Sequence, residues 1–408
     1  MTHRVVEQKL PAAILANIRL LLAAGLITAC ASLSAAVPSE AEPENTPAKQ
    51  LELRINLLES NQGAYSLQLG EALTTLADYH ASQHEFEQAS KHYNRALHIE
   101  RINQGIYSAQ QKPILEKLVS SLQAQNKWPS AIKKQQYAHW LSNRQHPQDS
   151  LELLTDLHDL ANWHIAAYVE TDKRNHQHLI EAHKLYRQYI ELNDSHHNNN
   201  HLRLIPILKG FMNTNYFLAS SVEKQESGFN IKFSSQEQLV ERQEKIAQYK
   251  MNSFRKGKLA LERMIKIYSH NSEDDASSEI KTLIALGDWY QLYGKSQSAK
   301  VAYLKAYQKA ATEPSNADAL FAIPVALPVL DKGLYKNSAQ HHSYSIARFD
   351  VASNGSAKNI EILETMPAKG KRLGSKTKRF LRSTRFRPVM KAGRVVAAKN
   401  VTQRYSFP

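Results

Sequence analysis

Residues 283–306 read LIALGDWYQLYGKSQSAKVAYLKA, and their spacing decides the fold. Leu283, Leu286 and Tyr290 recur at three and four residues, the period of one helix face. Gly294 interrupts the pattern where a glycine ends a helix, and Ala299, Tyr303 and Ala306 resume it. Gly287, Ala299, Tyr303 and Ala306 supply small and aromatic residues in the places that Ala89, Tyr93 and Ala96 hold upstream, where small residues let two helices approach closely and Phe86 and Tyr93 fill the space beside them. Two amphipathic helices joined by a tight turn are predicted, and neither buries its apolar face alone.

The same order recurs upstream. Leu73, Leu76 and Ala77 precede Phe86, Ala89, Tyr93 and Ala96; Leu115, Leu118, Val119 and Leu122 precede Trp128, Ala131 and Ala138; Leu157, Leu160 and Trp163 precede Ala182, Tyr186 and Tyr189. This pattern resembles the tetratricopeptide repeat (TPR), whose unit is about 34 residues. Ala96 and Ala138 stand 42 residues apart, which predicts longer helices than usual. The fold expected is mainly α, a TPR-like α-solenoid over 51–313. The polar stretches TDKRNHQH (171–178) and DSHHNNNH (194–201) read as loops, and 235–268 as one long charged helix crossing the outside of the solenoid. Stacked pairs present a curved surface to other chains. Tyr79, Tyr93, Trp128, Trp163, Tyr186, Trp289 and Tyr290 are either anchors in that surface or packing between helices.

Prolines at 314, 324 and 328 end the helical register, so 314–340 reads as a linker. Beyond it, 344–351 (YSIARFDV) and 358–365 (KNIEILET) alternate as strands do. Ser353-Asn354-Gly355 suits the turn between them. A helix follows at 371–384, with Leu373, Thr377, Phe380 and Leu381 at helical spacing, and a last strand runs over 394–407. Phe349, Gly355, Phe380, Phe386, Pro388, Gly393, Val395, Val396 and Phe407 carry a resemblance to the TonB C-terminal domain. That resemblance implies a small α+β domain (β-β-α-β) over 341–408, situated in the periplasm. It also implies strand pairing with an extended segment of an outer-membrane receptor. The family's N-terminal membrane helix, its long Pro-rich reach and the Tyr-Pro segment before its first strand have no counterpart here, so force transmission is not expected of this chain.

Near the other end, Arg4, Lys9 and Arg19 precede the apolar run LLLAAGLITA (20–29), too short to span a bilayer and suited to a signal peptide over 1–29. Ile27-Thr28-Ala29-Cys30 resembles the lipobox of bacterial lipoproteins, which implies acylation of Cys30, a mature chain starting there and a membrane anchor through that lipid. Ala31 resembles the signal for sorting to the outer membrane. Ordinary secretory cleavage after Ala35 or Ala36 is the other reading. Residues 30–50, rich in Pro, Glu and small residues from 37 onward, read as a disordered tether.

Charge is divided unevenly. Residues 331–408 hold 17 Lys or Arg against 4 Asp or Glu, while the preceding 330 hold 35 against 34. Lys371, Arg372, Lys376, Arg379, Arg382, Arg385 and Arg387 are read as a basic surface, either a solvated face that keeps the domain soluble or one fit for anionic lipid or acidic wall polymer. Export argues against nucleic acid. Cys30 is the only cysteine, which excludes an intramolecular disulfide. The 18 histidines, His176, His178, His196, His197, His201, His341 and His342 among them, stand in no metal-ligand spacing. No nucleophile elbow, phosphate loop or dinucleotide fingerprint is present. No metal, cofactor or catalysis is expected. The function expected is a non-catalytic envelope scaffold for protein-protein interaction, with TonB-dependent receptors or TonB-system components as candidate partners. The alternative is a structural lipoprotein that binds peptidoglycan.

Overall fold

The computed structural model of the chain describes residues 46–147, 150–171, 176–196, 202–220, 236–270, 276–311, 317–329, 343–367 and 371–407. Cys30, the signal stretch, His197, His201, His341 and His342 lie outside the described residues. Helix α1 (Pro47–Gln62) is followed by five helix pairs. These are α2 (Leu67–Ser82) with α3 (Phe86–Gln104), α4 (Gln111–Ala124) with α5 (Trp128–Gln145), α6 (Leu151–Glu170) with α7 (His176–His196), α8 (Leu204–Ser220) with α9 (Gln236–His270), and α10 (Ala276–Leu292) with α11 (Ser296–Ala311). Each helix packs on the one before and the one after it, which makes a TPR-like α-solenoid. No described helix is long and apolar enough to cross a membrane.

One turn chemistry sets the angle within three of the pairs. His84, Asn126 and Gly294 follow α2, α4 and α10 with φ of 61°, 57° and 70°. The next amide then reaches back to a helix carbonyl, Glu85 to His80, Lys127 to Leu122 and Lys295 to Tyr290, each at 2.9 Å. This bond satisfies a carbonyl the helix end would otherwise orphan and turns the chain sharply. Leu73, Ala77, Ala89, Tyr93, Ala96, Leu115, Leu118, Trp128 and Ala131 are buried between the helices, as are Leu283, Gly287, Ala299, Tyr303 and Ala306.

The C-terminal module contains β2 (Ser343–Val351), β3 (Ala357–Met366), α13 (Lys371–Ser383), β4 (Phe386–Arg387), β5 (Val389–Lys391), β6 (Arg394–Val396) and β7 (Ala398–Phe407). Its antiparallel sheet has the order β3-β2-β7, and α13 lies against β3 and β2. Ala347, Phe349 and Val351 alternate into a core with Leu381 and Phe386. Bulges at Asn359 (φ 52°) and Asn400 (φ 56°) are both tied to Asp350, which accepts from Asn359 Nδ2 at 2.7 Å and the Asn400 amide at 2.9 Å.

Several expectations need correction. The tether ends early, because Thr46 caps α1 by accepting from the Lys49 amide and Pro47 suits the first turn. His176 to His178 belong to α7, and that helix continues to His196, so both polar stretches read as loops are partly helical. Helix α9 does not cross the outside. Ala260, Leu261, Met264 and Ile267 are buried in the stack, where α9 pairs with α8, a helix the sequence reading passed over. The segment read as a linker carries α12 (Ala317–Leu320) and β1 (Val325–Ala326), and Phe321 between them is fully buried against Tyr303 and Ile280. The last strand is broken at Ala397 into β6 and β7, and Phe380 is exposed while Leu381 takes the core position.

Gly355 turns the β2–β3 hairpin with φ of 73°, and a Cβ there would lie 2.1 Å from Gln291 Nε2 and 2.2 Å from the Phe386 carbonyl oxygen. Backbone on one side cannot give way, so Gly355→Ala combines positive-φ strain with a clash. Urea denaturation is expected to show a loss of about 3 kcal/mol; a loss under about 0.5 kcal/mol contradicts the close approach.

Candidate functional site

The solenoid and the C-terminal module are interlocked. Asp288 on α10, 9% exposed, receives the Tyr303 hydroxyl at 2.9 Å and both arms of the Arg387 guanidinium, Nε at 2.9 Å and a terminal nitrogen at 2.5 Å. Arg387 is only 14% exposed, so it does not belong to the basic surface assigned to it from sequence. Burial alone would lower its pKa, but the hydrogen bonds and charge of Asp288 outweigh burial and hold it above its ordinary value. Burial raises the Tyr303 pKa, and the nearby Asp288 carboxylate adds to it.

The same device occurs in the first full repeat. Asp78 accepts the Tyr93 hydroxyl at 2.6 Å and pairs with Lys117 of α4, the next repeat's first helix, at 2.7 Å. Asp78 and Asp288 both precede their tyrosine by 15 positions. Arg387 therefore stands where the next repeat's cation would stand, and the module continues the stack in place of another helix pair.

Around that bond the contacts are dense. Met390 on β5 is buried among Ile280, Leu283, Ile284 and Phe321, with Val395 of β6 at its side. The Met390 amide donates to the Phe321 carbonyl at 3.2 Å, and Leu327 to Arg385 at 2.8 Å. Gln291 Nε2 donates to the Asn354 carbonyl. Asp318 accepts from Tyr307 at 2.9 Å and from the Ala392 amide at 3.3 Å. Ala392 and Gly393, with φ of 47° and 73°, form the tight β5–β6 turn that lets the hairpin lie on α11. Phe349 and Phe386 pack at 5.3 Å between ring centroids, and Pro388 is buried beside them.

Alongside the junction runs a groove of about 480 Å³. Helix α8 supplies Ile205, Lys209, Met212, Asn213 and Tyr216; α9 supplies Leu261, Met264 and Tyr268; α10 supplies Lys281, Ala285, Trp289 and Leu292. Leu320, Pro328, Val329 and Arg387 complete it, so the junction segment forms part of the wall. The lining is mainly apolar, with methionines whose flexible side chains adapt to varied occupants. Of the aromatics named as anchors or packing, Trp289 alone lines this groove; Tyr93, Trp128 and Tyr186 are buried, and Tyr79, Trp163 and Tyr290 half-buried.

The exposed cations remain as a surface: Arg372, Lys376, Arg379 and Arg382 on α13, and Arg385 after it. Among the described residues no group of three or more His, Cys, Asp or Glu gathers to hold a metal. Histidines matter differently. His164 and His178 meet Nδ1 to Nδ1 at 2.9 Å in the interior, and His183 Nε2 lies 3.2 Å from Lys256 Nζ. Burial lowers His164 to about 3, with the charges of His178 and His139 acting the same way. Burial lowers His178 to about 4, and burial followed by Lys256 and Arg187 lowers His183 to about 3.

No protein-family model matches the chain, and no curated protein does. Among solved structures, BtubC from P. vanneervenii is 16% identical, with 70% of this chain and 96% of that chain covered and a TM-score of 0.35. A kinesin light chain from Podosopora anserina, with nearly identical TPR-like repeats, is 13% identical over 60% of this chain and 97% of that one, at 0.39. A circular tandem repeat protein is 15% identical over 65% of each, at 0.28.

Because the three buried histidines have folded values below their ordinary 6.5, the unfolded chain takes up their protons first as pH falls. Stability is full above about pH 6.5 and declines toward the folded values of about 3 to 4. At pH 5 each histidine costs about 2 kcal/mol. Urea denaturation at pH 7 and pH 5 measures this, and His183→Leu should flatten the dependence; equal stability at both pH values contradicts neutral burial.

Proposed function

We propose that this chain is a non-catalytic interaction scaffold of the bacterial envelope, and that the groove between α8, α9 and α10 receives an apolar anchor from a partner protein. The groove itself carries this reading. It is concave and mainly apolar by area, with polar side chains such as Asn213, Thr282 and the Asp288–Arg387 pair among its lining, the make-up of a binding site. Lys281 in its lining favours a partner segment with an acidic residue beside the anchor. A repeat stack offers an extended surface of this kind without needing any reactive group.

In this reading the chain is exported, acylated at Cys30 and held at the outer membrane from the periplasmic side. The solenoid recruits one envelope protein. The C-terminal module, with its resemblance to the TonB C-terminal domain, meets a second component, a TonB-dependent receptor or a part of the TonB system. Strand addition suits it, since β3 and β7 are the edges of its sheet among the described residues.

A photo-crosslinking residue placed at Met212 or Lys281 tests the groove, with Val301, exposed on α11, as the control position. Groove positions should yield a crosslinked partner from envelope fractions that the control does not, and Met212→Glu should weaken its recovery about tenfold or more. Identical products from groove and control positions contradict the proposal. Loss of acyl labelling in Cys30→Ser tests the anchor, and labelling that persists contradicts it.

A further inference from the structure

Four cations recur along the outer side of α13: Arg372, Lys376, Arg379 and Arg382, at spacings of four, three and three residues. Such spacing lays them in one stripe about 15 Å long. Gly374, Thr377 and Leu381 are buried on the other side, so the helix is fixed against the sheet and the stripe keeps its direction. Some surface cations elsewhere are paired, as in Arg95 with Glu59, Lys117 with Asp78 and Arg263 with Asp194. Arg372, Arg379 and Arg382 form no ion pair among the described residues. Nor is a carboxylate near in sequence, because residues 365–408 contain 13 Lys or Arg and no Asp or Glu.

Beside the stripe stands Phe380, 44% exposed, its ring edge against Tyr405 at 5.7 Å. A single exposed ring is ordinary on a protein surface, but this one flanks three arginines that form no ion pair among the described residues. A bilayer surface uses both features, cations at the headgroup phosphates and an aromatic ring at the acyl boundary.

We propose that the outer face of α13 docks the C-terminal module on an anionic lipid bilayer, with Arg372, Arg379 and Arg382 on the headgroups and Phe380 at the acyl boundary. This surface is separate from the groove, so the two readings stand or fall independently. The docking also needs no acyl group at Cys30.

The test uses the chain from residue 31 onward, which keeps every described element and carries no lipid. It is sedimented with vesicles of phosphatidylcholine alone or with about 30% phosphatidylglycerol. Binding is expected only to the anionic vesicles and should weaken as salt rises. Replacing Arg372, Arg379 and Arg382 together by Gln should weaken it roughly a hundredfold, and Phe380→Ala about tenfold. Unchanged melting temperatures establish that both variants fold. Equal binding to neutral vesicles overturns the proposal, and so does full binding by the triple variant. If heparin or purified sacculi are bound, equally well with Phe380→Ala, while vesicles are ignored, the stripe belongs to a polymer and the proposal is likewise overturned.

Discussion

A carboxylate as buried as Asp288 must find its hydrogen bonds inside the protein, because an ion left unpaired there is strongly destabilising. Tyr303 satisfies one oxygen from within the last repeat, and Arg387 satisfies both from a segment 99 residues further on. Neither α10 nor the C-terminal module completes this arrangement alone. The arginine is equally constrained, since its guanidinium is nearly as buried as its partner. Much else follows from that requirement: β5 and β6 are drawn onto α11, Met390 enters the core of the last repeat, and the 317–329 segment is held between them.

A helical stack has an end problem. Its last pair exposes an apolar side that a further repeat would cover, and natural solenoids cover it with a modified terminal unit. Here the cover is a different fold, placed by the same Asp–Tyr–cation contact that joins α2, α3 and α4. A functional consequence follows from geometry. The cover supplies Arg387 to the groove, and the 317–329 segment it holds supplies Leu320, Pro328 and Val329, so the shape of the groove depends on the junction remaining closed. The shape of the groove and the position of the basic module are thereby physically linked.

Apart from α8 and the placement of α9, the repeat helices were legible in the sequence because their signal is local. Spacing of three and four residues, small residues at Ala89, Ala96, Ala299 and Ala306, and a turn residue at Gly294 all act within one helix pair. The module's strands and helix were legible for the same reason. Its attachment was not. Asp288 is one acidic residue in a helix, Arg387 one of many cations, and nothing in linear charge counting joins positions so far apart. Pro314, Pro324 and Pro328 suggested a linker, yet prolines end a helix without saying whether the chain beyond it packs. Asp78 and Asp288 share a place in their repeats, fifteen residues before a tyrosine, and that correspondence was the one available sign of a shared contact. Polar runs misled in the opposite direction, since His176, His178 and His183 of α7 are polar by composition but buried by position.

A double-substitution cycle on Asp288 and Arg387 tests the junction most directly, with unfolding read at once by solenoid tryptophan fluorescence and by hydrogen exchange in β5 and β6. Each single change to Leu should destabilise by about 3–5 kcal/mol, the double should lose clearly less than their sum, and both probes should move together. Additive losses, or a module that opens while the last repeat keeps its full stability, would contradict the account.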